Sequence, residues 1–522
     1  MSRVLDPLLR DLVLLTVVCI LNGCTMLGPD HQEPRVEWLD AWQADLYGQV
    51  GNPKAQAEVD LRFWWHLFDD PVLNTLIDLA KQENPSLRIA GLRMLESRAA
   101  LGIAGSARYP QVKQASGAVD YVETDRHGGT LPDSNDHMTT YQAGLAVGWE
   151  LDFWGRFRRG VESADAAFFA SIANRQNVQV LLSAQVADLY FSCRATILQI
   201  HIAKENAKVQ KQSFEITRLL YEGGEDSELD LQQAKTQYMA TLSKIPGLEL
   251  TLLKTRNALG VLLGRAPGDL PELDEAIRLL PVLDPVIIQD LPAQLLMRRP
   301  DVRSAAWQVA AQSAQIGIAK ADLYPSITLS GTVGWSGNTQ DGSPDTLSLG
   351  IGPSFTWNLF DRGHIKNNVR VQDARLQQAI ESFQNTVLTA AREIDDAAFG
   401  IVKTREQQVP QRESTKAAKR SLEIANVRYR EGYADFQRVI DAQRSVASQA
   451  EREVTNDKSH ISAVISFYKA IGGGWLNDPI EQVVPVTTRE TMESRTDWGR
   501  LLTTSLPDMP TTSSSPEDAR NE

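Results

Sequence analysis

The sequence predicts a mixed architecture: an all-α tube joined to a transmembrane β-barrel, built from two internal repeats. Three observations predict it. Four marker segments recur in the same order, about 210 residues apart. Four other segments alternate with a period of two, apolar on one face and small or polar on the other. Helical patterns also run for about 58 residues, about 85 Å at 1.5 Å per residue, longer than a compact globular domain needs.

The chain opens on an export signal. An apolar run from Leu12 to Leu21 follows Arg3 and Arg10, and Asp6 and Asp11 weaken the positive stretch before it. The run ends in Leu21-Asn22-Gly23-Cys24, a lipoprotein cleavage pattern with small Gly23 before the scissile bond. Residues 1–23 are therefore expected to be removed, with Cys24 the lipidated first residue. Thr25, rather than an aspartate, follows the cysteine, which agrees with an outer membrane address.

Composition narrows the function. The 522 residues carry a net charge of -13, against the basic footprint that nucleic acid requires. Once Cys19 leaves with the signal and Cys24 is lipidated, Cys193 has no disulfide partner and reads as a small core residue. The seven histidines form no close pair, and no nucleophile triad, phosphate loop or metal cluster is legible, so no enzyme, catalytic residue, cofactor or metal is expected. After Cys24 no run of 18 apolar residues occurs, so a membrane span must be a barrel.

The repeat markers set the domain organisation. Tyr109-Pro110-Gln111 recurs as Tyr324-Pro325-Ser326, and Trp149-Glu150-Leu151 as Trp357-Asn358-Leu359. Gly155-Arg156 is echoed by Arg362-Gly363, and Tyr221-Glu222-Gly223-Gly224 by Tyr429-Arg430-Glu431-Gly432. Repeat 1 spans 70–264 and repeat 2 spans 300–474, with 24–69, 265–299 and 475–522 outside them. In repeat 1 a helix runs from Pro71 to Ala107, Asp70-Pro71 supplying a cap and a first-turn proline. A helical hairpin follows, from Gly155 to about Ile200 and from about Glu205 to Leu263. In repeat 2, Pro300-Asp301 opens the short helix, and the hairpin runs from Gly363 to about Thr404 and from about Glu413 to Ala470. Gly223-Gly224 and Gly432 interrupt the returning helices and are expected to mark kinks.

Strands are expected at about 110–124, 139–152, 326–336 and 346–359. In the second, Tyr141, Ala143, Leu145, Val147 and Trp149 share one face; in the fourth, Leu347, Leu349, Ile351, Phe355 and Trp357 do so. Half of a soluble sandwich would alternate similarly. Four strands cannot enclose a lumen, and open edges are not tolerated in lipid, so a spanning chain must associate. Two copies give eight strands and a filled interior; three give twelve and room for a channel, which a wide helical tube favours. The loops Glu123 to Met138 and Gly337 to Asp345 read as extracellular turns.

Several local motifs resemble the outer membrane factor family, the exit ducts of tripartite efflux and type I secretion systems. They are Cys24 with Gly28-Pro29-Asp30 and Pro34; Trp64-Trp65, Phe68, Asp70-Pro71, Leu73 and Asn84; Leu291-Pro292, Leu295-Leu296 and Arg298-Arg299-Pro300-Asp301; and Tyr429, Gly432, Asp441-Ala442-Gln443-Arg444 and Gly472-Gly473-Gly474-Trp475. The resemblance covers roughly residues 21 to 480 and is nearest to the lipoprotein branch serving resistance-nodulation-division pumps. It implies a homotrimer with a 12-stranded outer membrane barrel, a long periplasmic α-helical barrel and an equatorial belt. That belt would draw on Arg35 to Trp65, Leu263 to Leu291 and the segment after Trp475. It further implies a periplasmic adaptor (membrane fusion protein), a proton-driven inner membrane pump and small-molecule cargo such as drugs. A type I protein secretion duct is the alternative. Ala305-Ala306 and the acidic Glu225-Asp226-Ser227-Glu228 depart from the family pattern.

The family closes its duct at the hairpin tips, placed by this reading near Ile200 to Glu205 and Thr404 to Glu413. There Asp395 and Asp396 would form an acidic ring, Phe399 a constriction, and Arg392 and Arg405 ion pairs holding the closed state. An ordinary solvated helix face is the alternative. The tail after Glu490, rich in Ser, Thr, Pro and Asp, reads as mostly disordered.

Overall fold

The computed structural model describes residues 25–39, 47, 60–126, 134–268, 270–273, 279–283, 296–339 and 344–507. Repeat 1 comprises α1 (Pro71–Glu83), α2 (Pro85–Ser106), β1 (Val112–Arg126), β2 (Ser134–Leu151), α3 (Arg156–Glu222) and α4 (Glu228–Leu262). Repeat 2 comprises α5 (Pro300–Ala321), β3 (Ser326–Asn338), β4 (Thr346–Thr356), α6 (His364–Arg430) and α7 (Phe436–Ala470). The duplication is exact in helix length: α2 and α5 have 22 residues, α3 and α6 have 67, and α4 and α7 have 35. At 1.5 Å per residue the 67-residue helices are about 100 Å long.

The first loop is shorter than the expected Glu123 to Met138, because β1 runs to Arg126 and β2 starts at Ser134 with Glu123 paired to His137. Two helix boundaries also differ from the sequence expectation. The first helix divides at Asn84, because proline at 85 disfavours helical backbone before it. Asn84 instead caps α2, accepting from Leu87 N at 3.0 Å, and its amide donates to Leu262 O. The second correction is larger. The hairpins do not reverse at 200–205 and 404–413; helix continues through both. The reversals lie at the glycines expected to be kinks. Gly224 and Gly432 have φ of +80° and +77°, the left-handed backbone that ends a helix. Glu225 N donates to Leu220 O and Tyr433 N to Arg428 O, the six-residue ring of a Schellman stop. Ile200 to Glu205 holds no glycine, proline or cap to stop a helix. Prolines do occur inside two helices, Pro246 in α4 and Pro410 in α6, where each costs a helix about 3 kcal/mol.

The four strands form one antiparallel sheet in the order β1-β2-β3-β4. The β2–β3 pairing joins the repeats and sets Leu145 opposite Val333 and Trp149 opposite Leu329. In the next pair Val333 faces Leu349 and Trp335 faces Leu347. One sheet face is therefore continuously apolar, and nothing among the described residues covers it: Leu349 is 78% and Ile351 81% exposed. No helix of the described residues is long and apolar enough to cross a membrane.

The main core lies halfway along the tube. A short 3-10 helix (Leu61–Phe68) buries Trp64, Trp65 and Phe68. Trp64 stacks on Tyr468 of α7 at 5.4 Å, and Phe68 packs on Phe191 of α3 at 4.7 Å. Gly474 has φ +102°, and a Cβ there would meet Ser183 Oγ at 2.6 Å, so the glycine run lets the chain pass between α3 and Trp64. Three buried polar clusters tie the crossing segments. Asp70 caps α1 and also accepts from Tyr190 Oη at 2.7 Å and Arg194 Nη1 at 2.6 Å. Arg299, at the start of α5, makes two hydrogen bonds to Asp301 and one each to Glu393 of α6 and Ala470 O of α7. Asp478 accepts from Arg175 and Gln179 of α3, each at 2.6 Å.

The C-terminal segment corrects another expectation: it is ordered well beyond Glu490. After α8 (Ile480–Val483) and α9 (Val486–Arg495), the chain climbs α2 and buries Met492 and Leu502 against Met94, Leu95 and Phe168. Gly91 makes room for Val483, whose backbone oxygen lies 2.7 Å from where a Cβ would be. Arg98 donates to the carbonyls of Leu501, Thr504 and Ser505. Apolar contact and paired backbone outweigh the polar composition on which the disorder reading rests. Residues 508–522 lie outside the described set.

Arg299→Ala removes one side of a buried ionic cluster and leaves Asp301 and Glu393 without their cation. We expect it to cost about 3–5 kcal/mol, read as a lower thermal midpoint of the purified protein. A midpoint equal to the parent's contradicts this account.

Candidate functional site

The relocated hairpin tips change the setting of every candidate gate residue. Asp396 lies 34 residues before the end of α6 at Arg430, about 51 Å along the helix. The group is thus at the level of the central core, not at the hairpin tips.

At 100° per residue, Arg392, Asp395, Asp396, Phe399 and Lys403 share one face of α6, whereas Ile394, Ala397, Ala398 and Ile401 fill the buried side. Arg392 Nη1 pairs with Asp396 Oδ2 at 3.1 Å, an exposed pair within one helix. Asp395 accepts from Tyr47 Oη at 3.1 Å, and the Tyr47 ring packs on Phe399 at 5.2 Å. Lys403 Nζ sits 5.4 Å from the Phe399 ring centre. Asp395 and Phe399 therefore receive the N-terminal segment, and the acidic ring expected of them at the tip is not what this geometry provides. Arg405 points to the other side of α6. It lies near His460 of α7, whose Nδ1 is 2.9 Å from Thr404 Oγ1. Glu393 is engaged by Arg299, as described above. Cys24 lies outside the described residues.

The tips carry different chemistry. Tyr429 Oη donates to Asp226 Oδ2 at 3.0 Å, linking the second hairpin to the turn of the first. Burial and the Asp226 carboxylate push the Tyr429 hydroxyl up to about 12. Phe436, Val439 and Ile440 pack with Ala234 beside it, and Tyr429 lies 5.2 Å from Phe436. Gln443 donates to Ser213, and Arg444 to Gln237. Sequence reasoning missed this cluster. The Tyr-x-x-Gly repeats at 221 and 429 flagged the segment, but Asp226 becomes a partner only once the turn is placed at Gly223-Gly224. The acidic Glu225 to Glu228 stretch is thus partly structural: Asp226 holds Tyr429, and Ser227 caps α4 by accepting from Asp230 N.

At the opposite end, residues 26–30 seat in a built receptacle. Leu27 N donates to Trp154 O at 3.1 Å, just past β2. Arg159, 2% exposed, donates to Leu27 O, Glu162 and Asp30. Burial opposes charge on Arg159, but the two carboxylates outweigh it and raise its pKa. Gly317 admits the Leu27 carbonyl, 2.5 Å from where a Cβ would stand.

A sheet with an uncovered apolar face, carried on helices about 100 Å long and fastened near an N-terminal lipoprotein pattern, defines a duct that crosses an outer membrane and extends below it. The chain belongs to the outer membrane efflux protein family, matching it over residues 76–265 and 291–473. It is 29% identical over 473 residues to the probable outer membrane lipoprotein SilC of Salmonella typhimurium, covering 89% of this chain and 99% of that one. It is 29% identical over 467 residues to the solvent efflux pump outer membrane protein SrpC of Pseudomonas putida, covering 87% and 96%. Its structure resembles that of the outer-membrane channel OprN with a TM-score of 0.77 at 31% identity, over 86% of this chain and 99% of that one. The chain is an outer membrane efflux channel.

Two predictions follow from this geometry. Replacing Arg392 or Asp396 by alanine removes only an exposed i,i+4 pair, and stability should change by less than about 0.5 kcal/mol; a loss of several-fold more by thermal unfolding would show a role that the pair geometry lacks. Burial first, then Arg405 and Arg412, lowers the His460 pKa below that of a free imidazole. Unfolded chain then takes up a proton that the folded chain resists, so stability is present above about pH 6.5 and declines as pH falls below it. His460→Gln should flatten the fall in thermal midpoint between about pH 6.5 and 5; parallel pH profiles for parent and variant would refute it.

Proposed function

We propose that three copies of this chain form a passive exit duct for small toxic compounds, coupled through a periplasmic adaptor to a proton-driven inner membrane pump. The observation that carries the reading is the four-stranded sheet with an apolar face and two unpaired edges, β1 and β4. Edges cannot stay open in hydrocarbon, and three copies close twelve strands around a lumen wide enough to conduct. The duct supplies a path; the pump supplies energy and most selectivity. The closing end lies at the hairpin tips, Gly223 to Ser227 and Glu431 to Asp435, where the Tyr429–Asp226 bond joins the hairpins. SrpC, named for solvent efflux, favours small-molecule export over the protein-secretion alternative.

Cys24 is the lipid attachment point in this reading. Only Thr25 and Met26 lie between it and Leu27, which donates to Trp154 O, so a lipid on Cys24 would be tethered within about 10 Å of Leu27 at the base of the barrel. The barrel spans the membrane and the lipid adds a second hold. A lipoprotein among the relatives, SilC, supports the assignment.

Deleting the gene should lower the inhibitory concentration of at least one class of small toxic compound fourfold or more, with restoration by the intact gene. Unchanged susceptibility across chemically distinct compounds, together with no conductance in planar bilayers, would overturn the duct. Cys24→Ser should abolish palmitate incorporation and reduce membrane retention without abolishing conductance; equal labelling of variant and parent would sink the lipid assignment.

A further inference from the structure

Both ends of the chain lie on one side of the upper tube. Leu27 and Asp30 seat against Arg159, with Gly317 of α5 behind them. Met492 and Leu502 share a cluster with Phe168, Phe169 and Ile172 of α3. A lipid on Cys24 has to reach the bilayer that surrounds the barrel, so this side is the outer wall. On α5, Gln308 lies about 180° round the helix from Gly317; on α3, Asn174 lies about 200° round from Ile172. The face that carries Gln308 and Asn174 is therefore the inner wall.

That face holds an open groove of about 760 Å³ between α3, α5 and α6, a size in the range of small-molecule sites. Arg375 on its rim is about 16 Å below the start of α6 at His364. Small side chains keep the groove open, with Ala167, Ala170, Ala311 and Ala379 among its lining residues. Its walls are fastened by hydrogen bonds across the helices. Gln315 donates to Ser163 Oγ at 2.8 Å, Ser163 to Ala311 O at 2.9 Å, and Gln312 to Gln372 Oε1 at 3.0 Å. Three lining groups remain unused: the amides of Asn174 and Gln308 and the guanidinium of Arg375 have no hydrogen-bond or ion-pair partner among the described residues. All three are exposed. No carboxylate and no aromatic ring lines the groove among the described residues.

This set of groups selects a chemistry. A guanidinium takes a carboxylate through two parallel hydrogen bonds. Each free amide offers a donor and an acceptor, which suits hydroxyl or amide groups on the same molecule. An apolar solute would find little area to bury here. The chain as a whole has a net charge of -13 and repels anions, so an unpaired guanidinium on the inner wall is a local exception. We propose that the groove is a cargo-binding site for hydrophilic organic anions, with the carboxylate on Arg375 and hydroxyl groups on Asn174 and Gln308. The proposal rests on the reading of this chain as a duct for small molecules and names one class of its cargo. Binding is weak, because a solute in transit has to leave again.

The test is saturation-transfer NMR on the purified full-length protein, with gluconate as the anionic probe and glucose as its neutral counterpart. Gluconate should give a signal that falls about threefold or more in Arg375→Gln and in Gln308→Ala, while glucose gives little in any form. Arg375 is exposed and unpaired, so its replacement leaves the fold intact. Arg370→Gln serves as control: it removes the same charge about 140° round α6, where Arg370 bonds Asn367. Its gluconate signal should match the parent's. No gluconate signal in the parent, equal signals in parent and Arg375→Gln, a glucose signal as strong as gluconate's, or an equal loss in Arg370→Gln each overturn the site. The measurement needs no open channel. Protein that binds gluconate as expected but never conducts in planar bilayers overturns the duct and leaves the groove standing; protein that conducts without binding overturns the groove alone.

Discussion

A peptide group cannot enter hydrocarbon without a hydrogen-bond partner, and this sheet leaves one strand edge unpaired on each side. That constraint reaches far below the membrane. Closing the edges with further copies fixes a ring of strands, and the ring fixes the spacing of the helices that descend from it. The β2–β3 pairing matters most within the chain, because it sets the two repeats side by side and in register. The two 67-residue helices then descend together, and most of their stability comes from packing on their neighbours rather than from propensity.

Halfway down, the molecule solves a second problem. The tube has no compact interior of its own, so chain from outside the repeats is folded against it. Trp64, Trp65 and Phe68 supply the apolar filling, and Asp70, Arg299 and Asp478 fasten the crossing segments. The charged groups do not gain much by being buried; their cost when unpaired is what makes the arrangement specific. The N-terminal segment links the two regions, held by Arg159 under the barrel and by the aromatic cluster at mid-tube.

Much of this was legible in the sequence, for local reasons. Two-residue alternation revealed the strands, and Asp70-Pro71 and Pro300 marked helix starts, because these signals act within a few residues. The hairpin turns were misplaced because Gly223-Gly224 and Gly432 sit amid helical periodicity on both sides; only the sign of φ separates a stop from a kink. That error carried Asp395, Asp396 and Phe399 to the wrong level of the tube. Arg405 was misassigned for another reason: it follows its neighbours in sequence, but helix geometry turns it toward His460. The ordered tail was hidden because Gly91 and Arg98, which receive it, lie some 400 residues away in the chain.

The matched helix lengths of the two repeats carry an evolutionary consequence. Inserting one residue into α3 alone would turn everything beyond it by about 100° and lower one hairpin by about 1.5 Å against the other. The loops at either end of the sheet tolerate such changes; the tube does not. A lineage can lengthen or shorten this duct only by altering both halves of the gene in step, so the depth of the tube below the outer membrane is set by compensated pairs of insertions or deletions rather than by single ones.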